Sequence, residues 1–206
     1  MNSNLSAMEI SELVSTRISH DIIGNVGAVS NAVELLEEDD LEFIGEIKSI
    51  LKTSSFTLSA RMKFFRMAFG LNNANLDNLE LVEKTLKDYI QTIGGNNNQV
   101  QVNISLDDGT FSKIALLSAM IAGDTFIRGG TISIKQEGGA LAVYSDNNSL
   151  MKDKVFIIKE VMNGNINDAL AQYAPILYLK NILENSGCRL SVAKSEKLEF
   201  IIDKDK

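Results

Sequence analysis

Apolar residues recur at Ile22, Val26, Val29, Val33 and Leu36, a four-three-four-three spacing that predicts one buried face of a long helix. The helical pattern covers about residues 5 to 38. Glu37 to Asp40 then form an acidic turn whose last residue, Asp40, is placed to cap the next element. Phe43, Ile47, Ile50, Leu51, Leu58, Met62, Phe65 and Phe69 supply the apolar face of a second long helix, stopped at Gly70. So short a link predicts an antiparallel helical hairpin. Two helices cannot hide faces this broad by themselves, so the hairpin is expected to pair with a second copy as a dimeric four-helix bundle.

The pattern changes after Asn72. "LDNLELVEKTLKDYIQTI" reads as a further amphipathic helix and "NQVQVNISL" alternates as a half-buried strand. "FSKIALLSAMIAGDTFI" returns to helix. "GGTISIKQEGGALAVYSD" predicts a hairpin turning at Glu137-Gly138-Gly139. "KVFIIKEVMNG" reads as a short helix. Pro175 lies early in a last helix that ends near Ser186-Gly187, and "CRLSVAK" with "KLEFIID" closes the chain as a hairpin. The expected fold class is α+β: a helical hairpin over residues 1–72, then an α+β unit over 73–206 with helices on a mainly antiparallel sheet.

Composition narrows the function. The chain has 206 residues, 45% of them apolar, and a net charge of −7. That charge argues against nucleic acid as a partner, because phosphate binding needs a basic face. One cysteine, Cys188, excludes a disulfide framework, and one histidine excludes a paired-histidine metal motif. No signal-peptide pattern opens the sequence and no apolar run is long enough for a membrane span, so a cytoplasmic protein is expected.

The single histidine is the candidate reactive group. At about 100° per residue, His20 falls roughly 160° from the centre of the buried stripe and faces solvent. Leu13, Thr16, Arg17, Gly24, Gly27 and Asn31 share that outward face, with Ile23 at its border. Glycine inside a helix costs about 1 kcal/mol relative to alanine, so Gly24 and Gly27 together suggest room kept for an approaching partner. Asp21 is the neighbouring carboxylate able to accept the Nδ1 proton, which would orient the ring and leave Nε2 nucleophilic. Arg61, Lys63 and Arg66 on the second helix are candidates to face an acidic partner.

A helical hairpin with an exposed "SHD" ahead of an α+β unit resembles the bacterial histidine kinases. More closely, "RISHDIIGNVGAVSNAVELL", "ARMKFFRMAFG" and "FIRGGTISI" resemble the ChpT-type histidine phosphotransferases. The resemblance implies that the second unit is a degenerate kinase ATPase (Bergerat) α/β sandwich. It implies phosphoryl relay through His20, with Asp21 assisting, between the receiver domain of a hybrid histidine kinase and response-regulator receivers. Leu13, Thr16, Arg17, Ile23, Gly24, Gly27 and Asn31 would dock those receivers. The acceptor aspartate and its Mg²⁺ would belong to the partner, leaving this chain without a cofactor.

The departures from the family pattern are specific. Asn25 stands where these families usually carry a proline five residues after the histidine. The helix expected to bear an ATP-binding asparagine reads "ALLSAMIAGDTFIRGG" and lacks it. Asp146 is kept at the end of its strand, but no G-x-G follows. A phosphotransfer protein without ATP-dependent kinase activity is therefore expected. The alternatives are an ATP-using histidine kinase core and a non-catalytic protein that mimics a kinase to block it.

Overall fold

The computed structural model describes residues 5–37, 43–71, 75–93, 99–127, 129–146, 151–165 and 170–204. Two long antiparallel helices, α1 (Ala7–Glu37) and α2 (Ile44–Phe69), come first. A capping box starts α1: the Ser6 N–H donates to Glu9 Oε2 at 2.8 Å and the Glu9 N–H donates to Ser6 Oγ at 3.2 Å. The expected capping role of Asp40 falls outside the described residues, as does the boundary between 72 and 73.

The rest of the chain mixes helices and strands. It runs α3 (Leu79–Ile90), β1 (Val100–Ser105), α4 (Ser112–Gly123), β2 (Gly130–Glu137), β3 (Ala140–Asp146), α5 (Lys152–Met162), α6 (Ala174–Ser186), β4 (Cys188–Val192) and β5 (Glu199–Lys204), with 3-10 turns at Gly109–Phe111 and Ala171–Tyr173. The five strands form one sheet in the order β1-β2-β3-β5-β4. β1 and β2 pair in parallel across the α4 crossover, and every other pair is antiparallel. The fold is thus α+β with a mixed, mainly antiparallel sheet. Gly138 and Gly139, at φ 58° and 85°, make the two-residue turn that joins β2 to β3. Gly187, at φ 62°, ends α6 in the left-handed conformation.

Period-two alternation decides which sheet face is inside. Ile132, Ile134, Leu141, Val143, Phe200 and Ile202 are buried under the helices, whereas Lys135, Tyr144 and Ile201 face outward. Helix α4 is apolar all round and lies at the centre of the core, with Ile114 to Gly123 all buried. The core does not stop at the hairpin. Phe64, Phe65 and Ala68 of α2 join it, and Phe64 stacks on Tyr89 of α3 with ring centroids 3.7 Å apart. At the same open end of the hairpin, Ile10 and Val14 of α1 pack on Ala174 of α6.

The expected buried stripe of α1 is only partly covered within one chain. Ala32 is buried, and Ile22 and Val29 are half-buried, but Val26, Val33 and Leu36 are 41–45% exposed. On α2, Ile47 and Phe65 are buried while Ile50 and Met62 are exposed, as is Phe43 just before the helix. The two helices cover each other along one line and leave a second apolar strip open.

Candidate functional site

His20 projects from the middle of α1 with its side chain 84% exposed. Its Nδ1 lies 3.5 Å from Asp21 Oδ1, within charge-pairing range and loose for a hydrogen bond. Catalytic contacts are often this long before a partner closes on them. With Nδ1 toward the carboxylate, Nε2 is the nitrogen presented outward. Along α1 on either side of His20, Ile23 is 66% exposed, and Thr16, Gly24, Gly27 and Asn31 are exposed as well. A methyl group added at Gly24 or Gly27 would meet no atom within 4 Å, so neither glycine serves close packing within the chain. The Thr16 hydroxyl donates back to the Glu12 carbonyl at 2.9 Å, a local helix contact.

Two residues expected on the outward face are not free there. Leu13 is half-buried and packs against the cluster of Ile10, Val14 and Ala174. Arg17 is only 13% exposed. The reason is that the first half of α1 has two neighbours, α2 and the segment leading into α6, and a wheel with one buried stripe accounts for only one of them. Arg61 needs the same correction. Its guanidinium donates to the backbone carbonyl of Asp21 and, at 3.2 Å each, to Oγ1 and the carbonyl of Thr92. It ties the hairpin to the end of α3 and does not face outward. Lys63 and Arg66 remain exposed, on the rim of an open groove floored by Ile18, Phe65 and Phe69.

Arg17 organises the polar centre of the site. Nε donates to Asp21 Oδ2 at 2.9 Å, while the two terminal nitrogens grip Asp124 Oδ2 and Oδ1 at 2.9 Å each. Burial by itself would lower the guanidinium pKa. The hydrogen bond and charge of Asp124, followed by the charge of Asp21, more than reverse this and hold it above its ordinary value. Beneath lies Tyr89, whose hydroxyl pKa is raised, first by complete burial and then by the negative charge of Asp124.

Asp124 was not among the residues singled out from the sequence, and one signal there points to it. It caps the C-terminus of α4, where the helix dipole disfavours a carboxylate. An acid in that place needs a cation from elsewhere, and Arg17 supplies it. Asp146 bonds Lys197 at 2.7 Å at the exposed end of β3. Among the described residues no cluster of histidine, cysteine or acidic side chains could hold a metal ion, and no helix is long and apolar enough to cross a membrane.

The fold is a helical hairpin bearing an exposed histidine, seated on an α+β unit. A solved 1.7 Å structure of a bacterial phosphotransferase superposes with a TM-score of 0.75, covering 98% of this chain and 100% of that one at 23% identity. In sequence, the protein phosphotransferase ChpT of Brucella abortus (strain 2308) is 44% identical over 66 residues, 32% of this chain and 31% of that protein. The matched segment thus spans about a third of the relative's length. No family model matches the chain. The protein is therefore similar to a ChpT phosphotransferase over that segment, and it shares a phosphotransferase fold over nearly its whole length.

Proposed function

We propose that the protein is a histidine phosphotransferase that relays phosphoryl groups through His20 in a two-component phosphorelay. The observation that carries this reading is the placement of the imidazole: one exposed ring, with Nδ1 beside the Asp21 carboxylate and Nε2 outward. In the forward step, the Nε2 lone pair attacks the phosphorus of a receiver's aspartyl phosphate. The phosphorus–oxygen bond to the acyl oxygen breaks and the receiver's carboxylate leaves. The proton on Nδ1 stays, stabilised by Asp21 as positive charge develops on the ring. The reverse step passes the group to a second receiver. The Mg²⁺ such a transfer uses belongs to the receiver, beside the acceptor aspartate.

The docking face is the strip of His20, Ile23, Gly24, Gly27 and Asn31, with Thr16 one turn before the histidine. Its partners are the receiver of a hybrid histidine kinase and those of response regulators, which places the relay in the cytoplasm. The open apolar strip of Val26, Val33 and Leu36 on α1 and Ile50 on α2 supports a homodimer in which two hairpins complete a four-helix bundle.

One experiment tests the reading. The protein is incubated with labelled ATP alone, and separately with a phosphorylated receiver. Label from the receiver only, absent in His20→Gln, is the expected outcome. Label from ATP alone would make the chain a kinase. No label in either case would make it an interaction protein.

A further inference from the structure

The hydrogen bonds of Arg17 are divided in an uneven way. Its outer fork is held by Asp124 through both terminal nitrogens, with Nη1 also 3.4 Å from the Gln172 carbonyl, and Nε is the nitrogen that meets Asp21, at Oδ2. Oδ1 of Asp21 is then the oxygen that faces His20 Nδ1. The mounting on the far side is rigid. Asp124 follows the buried helix α4, and the next residue, Thr125, is fully buried, donates its hydroxyl to the Ala122 carbonyl at 2.6 Å, and accepts the Met151 N–H at 3.0 Å. The Asp21 backbone is held from the other side by Arg61.

We infer that Asp124 is a positioning residue for the reaction at His20: by occupying the outer fork of Arg17 it fixes the Asp21 carboxylate with Oδ1 toward Nδ1, so that the imidazole proton resides on Nδ1 and the Nε2 lone pair faces outward. This rests on the proposed function for its reaction, though not for its geometry. Without the Asp124 charge, Arg17 can turn its fork onto Asp21 and claim both oxygens, because a bidentate grip is the preferred guanidinium–carboxylate geometry. The second unit of the fold thereby sets the protonation pattern of a histidine on the first. Among the described residues, the charged and titratable groups of this centre are Arg17, His20 and Asp21 on α1, Arg61 on α2, Tyr89 on α3, Asp124 after α4, and Lys154 of α5, which lines a small pocket with Asp124.

His20 is the single histidine of the chain, so its ring nitrogens can be read without overlap in a nitrogen-15 NMR spectrum of the full-length protein. The tautomer ratio is measured at about pH 8.5, above the usual histidine range, in wild type, Asp124→Asn and Asp21→Asn. Transfer from a phosphorylated receiver is timed on the same preparations. The expected result is a ratio in folded Asp124→Asn that moves to that of Asp21→Asn, with transfer slowed by about tenfold or more, as small misplacements of reacting groups do. A wild-type ratio in Asp124→Asn overturns the inference, whatever the rate. A shifted ratio with an unchanged rate also overturns it. If Asp124→Asn does not fold, the charge-balanced pair Arg17→Gln with Asp124→Asn is read instead: with no guanidinium to fix the Asp21 carboxylate, its ratio should depart from wild type, and a wild-type ratio overturns the inference. Failure of the wild type to take label from the receiver removes the proposed function, and the tautomer comparison still decides whether Asp124 orients Asp21.

Discussion

Arg17 and Asp124, 107 positions apart in the chain, meet through two parallel hydrogen bonds of 2.9 Å with both side chains largely shielded from water. Losing one member of such a pair leaves an uncompensated charge, which costs about 3 kcal/mol or more. Arg17→Ala should therefore lower the urea-unfolding free energy by about that amount. It should also loosen the hairpin from the second unit, seen as faster amide exchange along the first half of α1. A loss below about 1 kcal/mol would mean that water already screens the pair.

Gly24 and Gly27 give an effect of the opposite sign. Each sits on an exposed helical surface with empty space where a side chain would be. Alanine at both positions should raise stability by up to about 1 kcal/mol per site, since glycine loses more backbone entropy on folding. Gly27→Leu should stay folded but slow receiver-dependent transfer by obstructing the approach to His20. Melting temperature and transfer rate on one preparation check both halves of this expectation.

The open apolar strip predicts the consequence of placing charge in it. Val33 is 45% exposed in the single chain. Val33→Glu should leave helix content unchanged but shift sedimentation from dimer to monomer at micromolar concentration. A wild-type protein that is already monomeric there would remove the four-helix bundle.

Tyr89 predicts an alkaline limit to stability. Its pKa is raised in the folded state, so the native protein holds this proton where the unfolded chain would release it. The corresponding stabilisation is complete below about pH 10, the ordinary tyrosine value, and is lost as the pH rises above it toward the higher native value. Unfolding midpoints in urea should fall between about pH 9.5 and 11, and should fall less steeply in Tyr89→Phe. Tyrosinate absorbance supplies an independent check, because Tyr89 should ionise only as the structure opens.

Much of this architecture was legible in the sequence because it follows from local rules. The period of the apolar residues marks both long helices, Gly138-Gly139 marks the β2–β3 turn, and Gly187 marks the end of α6. The exposure of His20 follows from its angle to the stripe. What could not be read locally is where distant parts meet. Leu13 and Arg17 lie on the correct side of an isolated helix, but the segment before α6 covers that flank. Arg61 carries a surface-type charge, yet it is used up by the carbonyl groups of Asp21 and Thr92. Asp124 left only an indirect trace, an acid at the unfavourable end of a helix, and its partner lies more than a hundred residues earlier.

The way Phe64, Phe65 and Ala68 are shared with the second unit bears on how this protein can be taken apart. A hairpin cut out after residue 72 would carry three bare core residues into water, while the remainder would lose the aromatic partner of Tyr89. Neither fragment is a transplantable cassette. Hybrids that exchange partner preference with a relative are better spliced within the distal half of the hairpin, between about Gly24 and Thr57, where among the described residues no side chain belongs to the core shared with the second unit and a foreign segment leaves the aromatic seam intact.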